Sequence, residues 1–199
     1  MARKVVRYYF SFGSPFAALA DARIDVLVEK AGADLDPIPI NAPPSEPPEG
    51  FAATLDEYKR SYQYEDAARW ARKLGVPWYS SAPPQPLVDA HEASIGYYIA
   101  REENVERAYR ERVFRASWAL GRDISDRDVL GDCARDAGLS RDDFVKRLDH
   151  EQYRNSLMER AVAGLEDRVF GVPFFVVDGE RFWGNDRIEF LLDALSRRG

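Results

Sequence analysis

The chain has 199 residues, 45% of them hydrophobic, with 34 acidic against 28 basic side chains and a formal net charge of −6. That length and apolar content support a packed core, as one domain with a large insertion or as two small ones, and exclude wholesale disorder. The acidic balance argues against non-specific nucleic-acid binding, and a single cysteine excludes an internal disulfide and any cysteine-based metal cluster. No apolar run reaches membrane-spanning length and the opening MARKVVRYYF holds no signal-peptide core, so a soluble cytoplasmic protein is expected.

Lys4–Phe12, rich in Val, Tyr and Phe, predicts a strand. Ser14 is a good N-cap and Pro15 suits the first helical position, so a helix runs from there to about Ala31, where Gly32 closes it. Leu35–Ile40 reads as a second strand, and the β-α-β unit favours a parallel pair with a right-handed crossover. Asn41–Gly50 holds Pro43, Pro44, Pro47 and Pro48, with Pro39 at its edge; it cannot be a helix and reads as a linker or a loop bordering a cleft.

From about 51 to 168 the spacing is helical. Ala67, Trp70, Ala71 and Leu74 share a face before Gly75-Val76-Pro77 ends the helix. Val105, Ala108, Tyr109, Arg112, Val113 and Ala116 recur at steps of three and four, and Ser125 and Ser140 precede Asp128 and Asp143 as capping pairs. Phe174–Val177, Asp178-Gly179 and Arg181–Trp183 then predict an antiparallel hairpin. Asp186–Arg197 closes the chain as an amphipathic helix with Ile188, Leu191, Leu192 and Leu195 on one side.

The pattern is α/β: a thioredoxin-like domain, discontinuous over 1–45 and 169–199, with a large all-helical insertion at 46–168. In such folds a polar residue opening an early helix and a Val-Pro ahead of a late hairpin meet at one site. Redox members carry Cys-x-x-Cys where this chain has Ser14-Pro15-Phe16-Ala17, so the site is suited to holding a thiol rather than being one.

Ser14 is the first candidate for chemistry. At a helix N-terminus its hydroxyl lies beside unpaired N–H groups and the positive end of the dipole, a setting that stabilises a bound thiolate; its plain role is an N-cap. Pro173, read as trans from frequency alone, would, if cis, turn the backbone of Val172 toward an extended peptide ligand. Asn185 and Asp186, where a strand gives way to a helix, suit either capping or a ligand's charged end. Lys59 reads as a solvated helix charge unless the insertion folds over the cleft. Phe12, Phe16, Phe174 and Trp183 are core by default and candidates for the wall of an aromatic substrate pocket. His91 and His150 have no partner at metal-ligand spacing, so no metal site is expected, and Cys133 reads as a buried small hydrophobe.

Three blocks, Tyr8–Ala20, Lys59–Trp78 and Phe170–Leu191, together resemble the 2-hydroxychromene-2-carboxylate isomerase family and its relatives the kappa-class glutathione transferases, in the DsbA-like branch of thioredoxin folds. The resemblance implies glutathione, or another small thiol, as cofactor. It assigns Ser14 to the sulfur, Lys59 to the tripeptide, Val172-Pro173 to its backbone, and Asn185-Asp186 to its γ-glutamyl end. The implied activity is isomerisation of a conjugated aromatic keto acid through reversible thiolate addition, in a homodimer. A kappa-like glutathione transferase and a non-catalytic thiol-peptide-binding protein are the alternatives.

Overall fold

Hydrophobic alternation over Val5–Phe10 builds the central strand of a mixed sheet. In the computed structural model, which describes residues 3–41, 50–80 and 88–197 and leaves the side chain of Phe51 aside, β1 (Val5–Phe10) pairs in parallel with β2 (Asp34–Pro39) and antiparallel with β3 (Phe174–Val177). The edge beyond β3 is β4 (Glu180–Trp183), giving the order β2-β1-β3-β4. The hairpin turns at Asp178 and Gly179, both with positive φ (52° and 81°), the left-handed pair that an Asp-Gly turn supplies. Pro43, Pro44, Pro47 and Pro48 of the predicted linker lie outside the described residues.

α1 (Pro15–Lys30) connects the parallel strands and ends before Gly32, whose φ of 74° suits a residue without a Cβ. Between β2 and β3 run α2 (Gly50–Leu74), α3 (His91–Glu102), α4 (Glu106–Phe114) with a π-helical turn at Arg115–Ala119, α5 (Arg127–Asp136), α6 (Arg141–Arg147) and α7 (Glu151–Glu166). A 3-10 turn (Asn185–Arg187) leads into α8 (Ile188–Ser196), which buries Ile188, Leu191, Ala194 and Leu195. Leu192 is only partly buried.

Strand alternation divides the core. Tyr8, Phe10, Phe175 and Val177 join α1, α3, α4, α5, α7 and α8 in the main cluster, with Tyr8 stacked on Phe175 at 5.1 Å. Tyr9, Ile38, Phe174 and Val176 form a smaller cluster on the other face, with Val169 against it. Arg7 donates two 2.6 Å hydrogen bonds to the Asp167 carboxylate and the Tyr9 hydroxyl donates a third of 2.6 Å, pinning β1 to the segment just past α7.

Two helix readings change. On α4 the buried face is Tyr109, Arg110, Val113 and Phe114, while Arg112 is exposed. Arg110 is fully buried: its Nε lies 2.5 Å from Asp21 Oδ1, its terminal nitrogen contacts Asp25, and its guanidinium sits 5.9 Å from the rings of both Tyr8 and Phe10. Burial pushes the Asp21 carboxyl up to about 6; Arg110 opposes the shift and Asp25 adds to it. Secondly, Asp126, not Ser125, caps α5 by accepting from the Asp128 N–H at 2.8 Å, while the Ser125 hydroxyl donates to Asp123. An Asp one position nearer the helix competes better for its free amides. Ser140 caps α6 as expected.

Candidate active site

β1 ends at Phe10 and the chain turns over Ser11–Gly13, where the Ser14 N–H donates to the Ser11 carbonyl at 3.0 Å. Ser14 takes an extended conformation (φ −97°, ψ 119°) and caps α1, its Oγ accepting from the Ala17 N–H at 3.2 Å. The Ala18 N–H is taken by the Ser14 carbonyl and Pro15 has no N–H, so the first-turn amide left open is that of Phe16.

The same Ser14 hydroxyl donates to the carbonyl of Val172 at 3.4 Å. That single contact joins residues 158 positions apart and brings the helix opening against the Val172-Pro173 bond, which is cis. The Val172 N–H donates to no described residue. One step further, the Pro173 carbonyl accepts from the Gly184 N–H at 3.0 Å, drawing the end of the hairpin to the same edge. Gly184 has φ 112°, and a Cβ there would stand 2.5 Å from the Asp186 carboxylate, so only glycine leaves room for that side chain to fold back.

Asn185 is 2% exposed. Arg23, two turns into α1, donates to its carbonyl at 2.8 Å and its Oδ1 at 2.9 Å. Those bonds fix the orientation of the side-chain amide, leaving its Nδ2 buried with no acceptor. Burial pulls the Arg23 guanidinium below its ordinary pKa, with Glu189 acting against the shift. Asp186 is half exposed and pairs with Arg187 at 2.6 Å.

The other sequence candidates fall elsewhere. Lys59 is exposed on α2 without an ion pair or hydrogen bond to any described residue. α2 meets α1 through Ala67 and Ala71, about 12 and 18 Å further along the helix at 1.5 Å per residue. Phe16 is partly buried against Leu19, Ala67 and Ala71. Phe12, expected as pocket wall, extends the inward side of β1 and is fully buried, edge-on to Phe10 at 5.2 Å. Phe174 is buried on the opposite face of the sheet, so neither ring presents a surface to a ligand. Trp183 is exposed on β4, edge-on to Phe170 at 4.8 Å. Cys133 is buried in α5, where burial pushes its thiol up to about 11.

A separate cavity of about 390 Å³ lies between α3 and α7, lined among others by Tyr98, Arg101, Tyr153 and Arg160. Its arginines are already engaged: Arg101 and Arg160 share Asp36 of β2. Among the described residues no three His, Cys, Asp or Glu side chains gather as a metal site, and no helix is long and apolar enough to cross a membrane.

Fold and site together define a thioredoxin-like protein with a serine at the head of its first helix, facing a cis-proline, in place of a redox cysteine pair. The DsbA-like thioredoxin domain family matches residues 5–196. Two proteins named 2-hydroxychromene-2-carboxylate isomerase are each 30% identical, one from Sphingobium xenophagum (94% of this chain, 96% of that one) and one from Pseudomonas putida (97% and 95%). A solved structure of a 2-hydroxychromene-2-carboxylate isomerase superposes with a TM-score of 0.82 at 28% identity, over 97% of this chain and 95% of that one. The chain belongs to the DsbA-like thioredoxin family, on the branch that holds the 2-hydroxychromene-2-carboxylate isomerases.

Proposed function

We propose that the protein is a glutathione-dependent isomerase acting on a conjugated aromatic keto acid of the 2-hydroxychromene-2-carboxylate kind. The observation that carries the reading is the Ser14 hydroxyl set against the Val172 carbonyl at the open end of α1, with no cysteine beside it.

The residues present fit a thiol tripeptide. The unpaired Val172 N–H and its carbonyl offer an extended peptide one rung of strand pairing. The orphaned Asn185 Nδ2 is a donor for a carboxylate, and Asp186 is a partner for an ammonium. The open Phe16 amide is a donor to a sulfur anion; the single Ser14 hydroxyl proton becomes a second when it turns from the Val172 carbonyl to the sulfur, and the α1 dipole adds to their effect. Glutathione bound there supplies a nucleophilic sulfur whose reversible addition turns a double bond into a rotatable single bond. The chain's own part is positioning and electrostatics: Ser14 holds the anion, and the Arg23–Asn185 bonds fix the far end of the cleft.

Calorimetric titration with glutathione, beside Asp186→Ala, tests the reading. Wild-type binding that weakens several-fold in the variant is expected. No detectable binding to the wild type overturns glutathione as cofactor, while turnover of 1-chloro-2,4-dinitrobenzene without isomerisation would make the protein a transferase.

A further inference from the structure

Aromatic side chains border the Ser14 turn from the helical side. Trp118 lies in the π-helical turn, a rare geometry concentrated at functional positions. Its indole N–H donates to the Phe12 carbonyl at 2.9 Å, two residues before Ser14. Its ring stacks on Trp78 (5.2 Å between centroids, 20° between planes) and leans on Tyr64 of α2 at 5.6 Å. Trp118 and Tyr64 are buried, whereas Trp78 is only partly so. Trp78 and Phe16, whose amide is the open one at the head of α1, both pack against the small cluster of Leu19, Ala67 and Ala71.

Trp118 is tied to the residue after Trp78 through the backbone. The Tyr79 N–H donates to the Trp118 carbonyl at 2.8 Å, and the Tyr79 ring fills the space over Gly121, where a Cβ would come within 2.5 Å. The Trp78 indole Nε1 is buried and has no hydrogen-bond partner. Buried donors are rarely left unpaired, and here the orphan marks the ring edge where an acceptor on a bound molecule would be satisfied.

We propose that Trp78 is a specificity-determining residue for the electrophilic substrate: its face receives a planar aromatic ring system and its N–H an acceptor such as a carboxylate oxygen. The proposal rests on the isomerase reading for the identity of the reaction, but its ligand chemistry follows from the ring pile itself. Phe12 and Phe174 are sealed in the core and present no face to such a ring.

The test is calorimetric titration with 2-naphthoate, without glutathione, of wild type, Trp78→Phe and Trp78→Ala. Loss of the platform is expected to weaken binding about five- to tenfold in Trp78→Ala, the scale of one aromatic pair, and less in Trp78→Phe. With 2-hydroxychromene-2-carboxylate as substrate, Trp78→Ala should raise KM by more than it lowers kcat. Equal naphthoate affinity in Trp78→Ala and wild type overturns the proposal, as does absence of wild-type binding. Trp78→Phe keeps the comparison valid if the alanine variant does not fold. Failure of glutathione to bind, with the naphthoate difference intact, would strike the cofactor reading and leave the aromatic platform standing.

Discussion

Ser14 uses one hydroxyl in two directions, accepting from Ala17 and donating to Val172. The first bond is local and was legible from Ser14-Pro15 alone, because capping depends on four consecutive residues. The second could not be read that way, since its partner lies 158 positions off. The same distance hid the Arg23–Asn185 bonds and the Trp118 bond to Phe12. The two roles of Ser14 separate on mutation. Ser14→Ala should lower thiol-dependent turnover at least tenfold, while chemical denaturation registers only the ~1 kcal/mol of a lost N-cap. Unchanged turnover would remove the hydroxyl from the mechanism.

At the scale of elements, strands and turns were read closely because their signals are short-ranged: a Val/Tyr/Phe run, an Asp-Gly turn, a Ser-Pro start. The α4 face was not. Counting threes and fours through Val105, Ala108, Tyr109, Val113 and Ala116 places Arg112 on their face and leaves Arg110 off it. The fold buries Arg110 instead, because two carboxylates of α1, Asp21 and Asp25, wait opposite it. A buried pair loses much when one side is removed, as the remaining charge stays desolvated. Arg110→Ala should therefore cost about 3–5 kcal/mol in urea unfolding, and Arg112→Ala less than about 0.5 kcal/mol. Equal losses would mean that the contact of α4 with α1 does not depend on the ion cluster. Phe12 and Phe174 follow the same lesson in strands: alternation, once the sheet's two faces are both covered, sends large rings inward regardless of their nearness to the site.

Across the whole molecule, one cluster joins the sheet, α1 and the intervening helices, and Asp21 is buried at the seam. Its carboxyl holds a proton more tightly in the folded chain than its ordinary value of 3.8 allows when unfolded, with a folded value of about 6. The stabilisation linked to that proton is complete below the lower value and is lost as pH rises through the higher one. The neighbouring charges are Arg110 and Glu111 of α4 and Asp25 of α1, with the Tyr8 and Tyr97 hydroxyls and Arg107 near the cluster. Melting temperatures of wild type and Asp21→Asn, taken from pH 4 to pH 7, should accordingly converge or cross as pH rises, wild type losing more. Parallel curves would show that Asp21 titrates alike in both states.

The far edge of the sheet has its own consequence. Asp34 and Ile40 turn their N–H groups toward β1, so by alternation residues 35, 37 and 39 turn theirs outward. Two of those three are Pro37 and Pro39, which have no N–H, and the outward Pro37 carbonyl is taken by the Tyr97 hydroxyl at 3.1 Å. A stray strand finds one outward N–H there, that of Leu35, so edge-to-edge fibre growth is disfavoured along that side, and among the described residues the other edge a foreign strand could add to is β4.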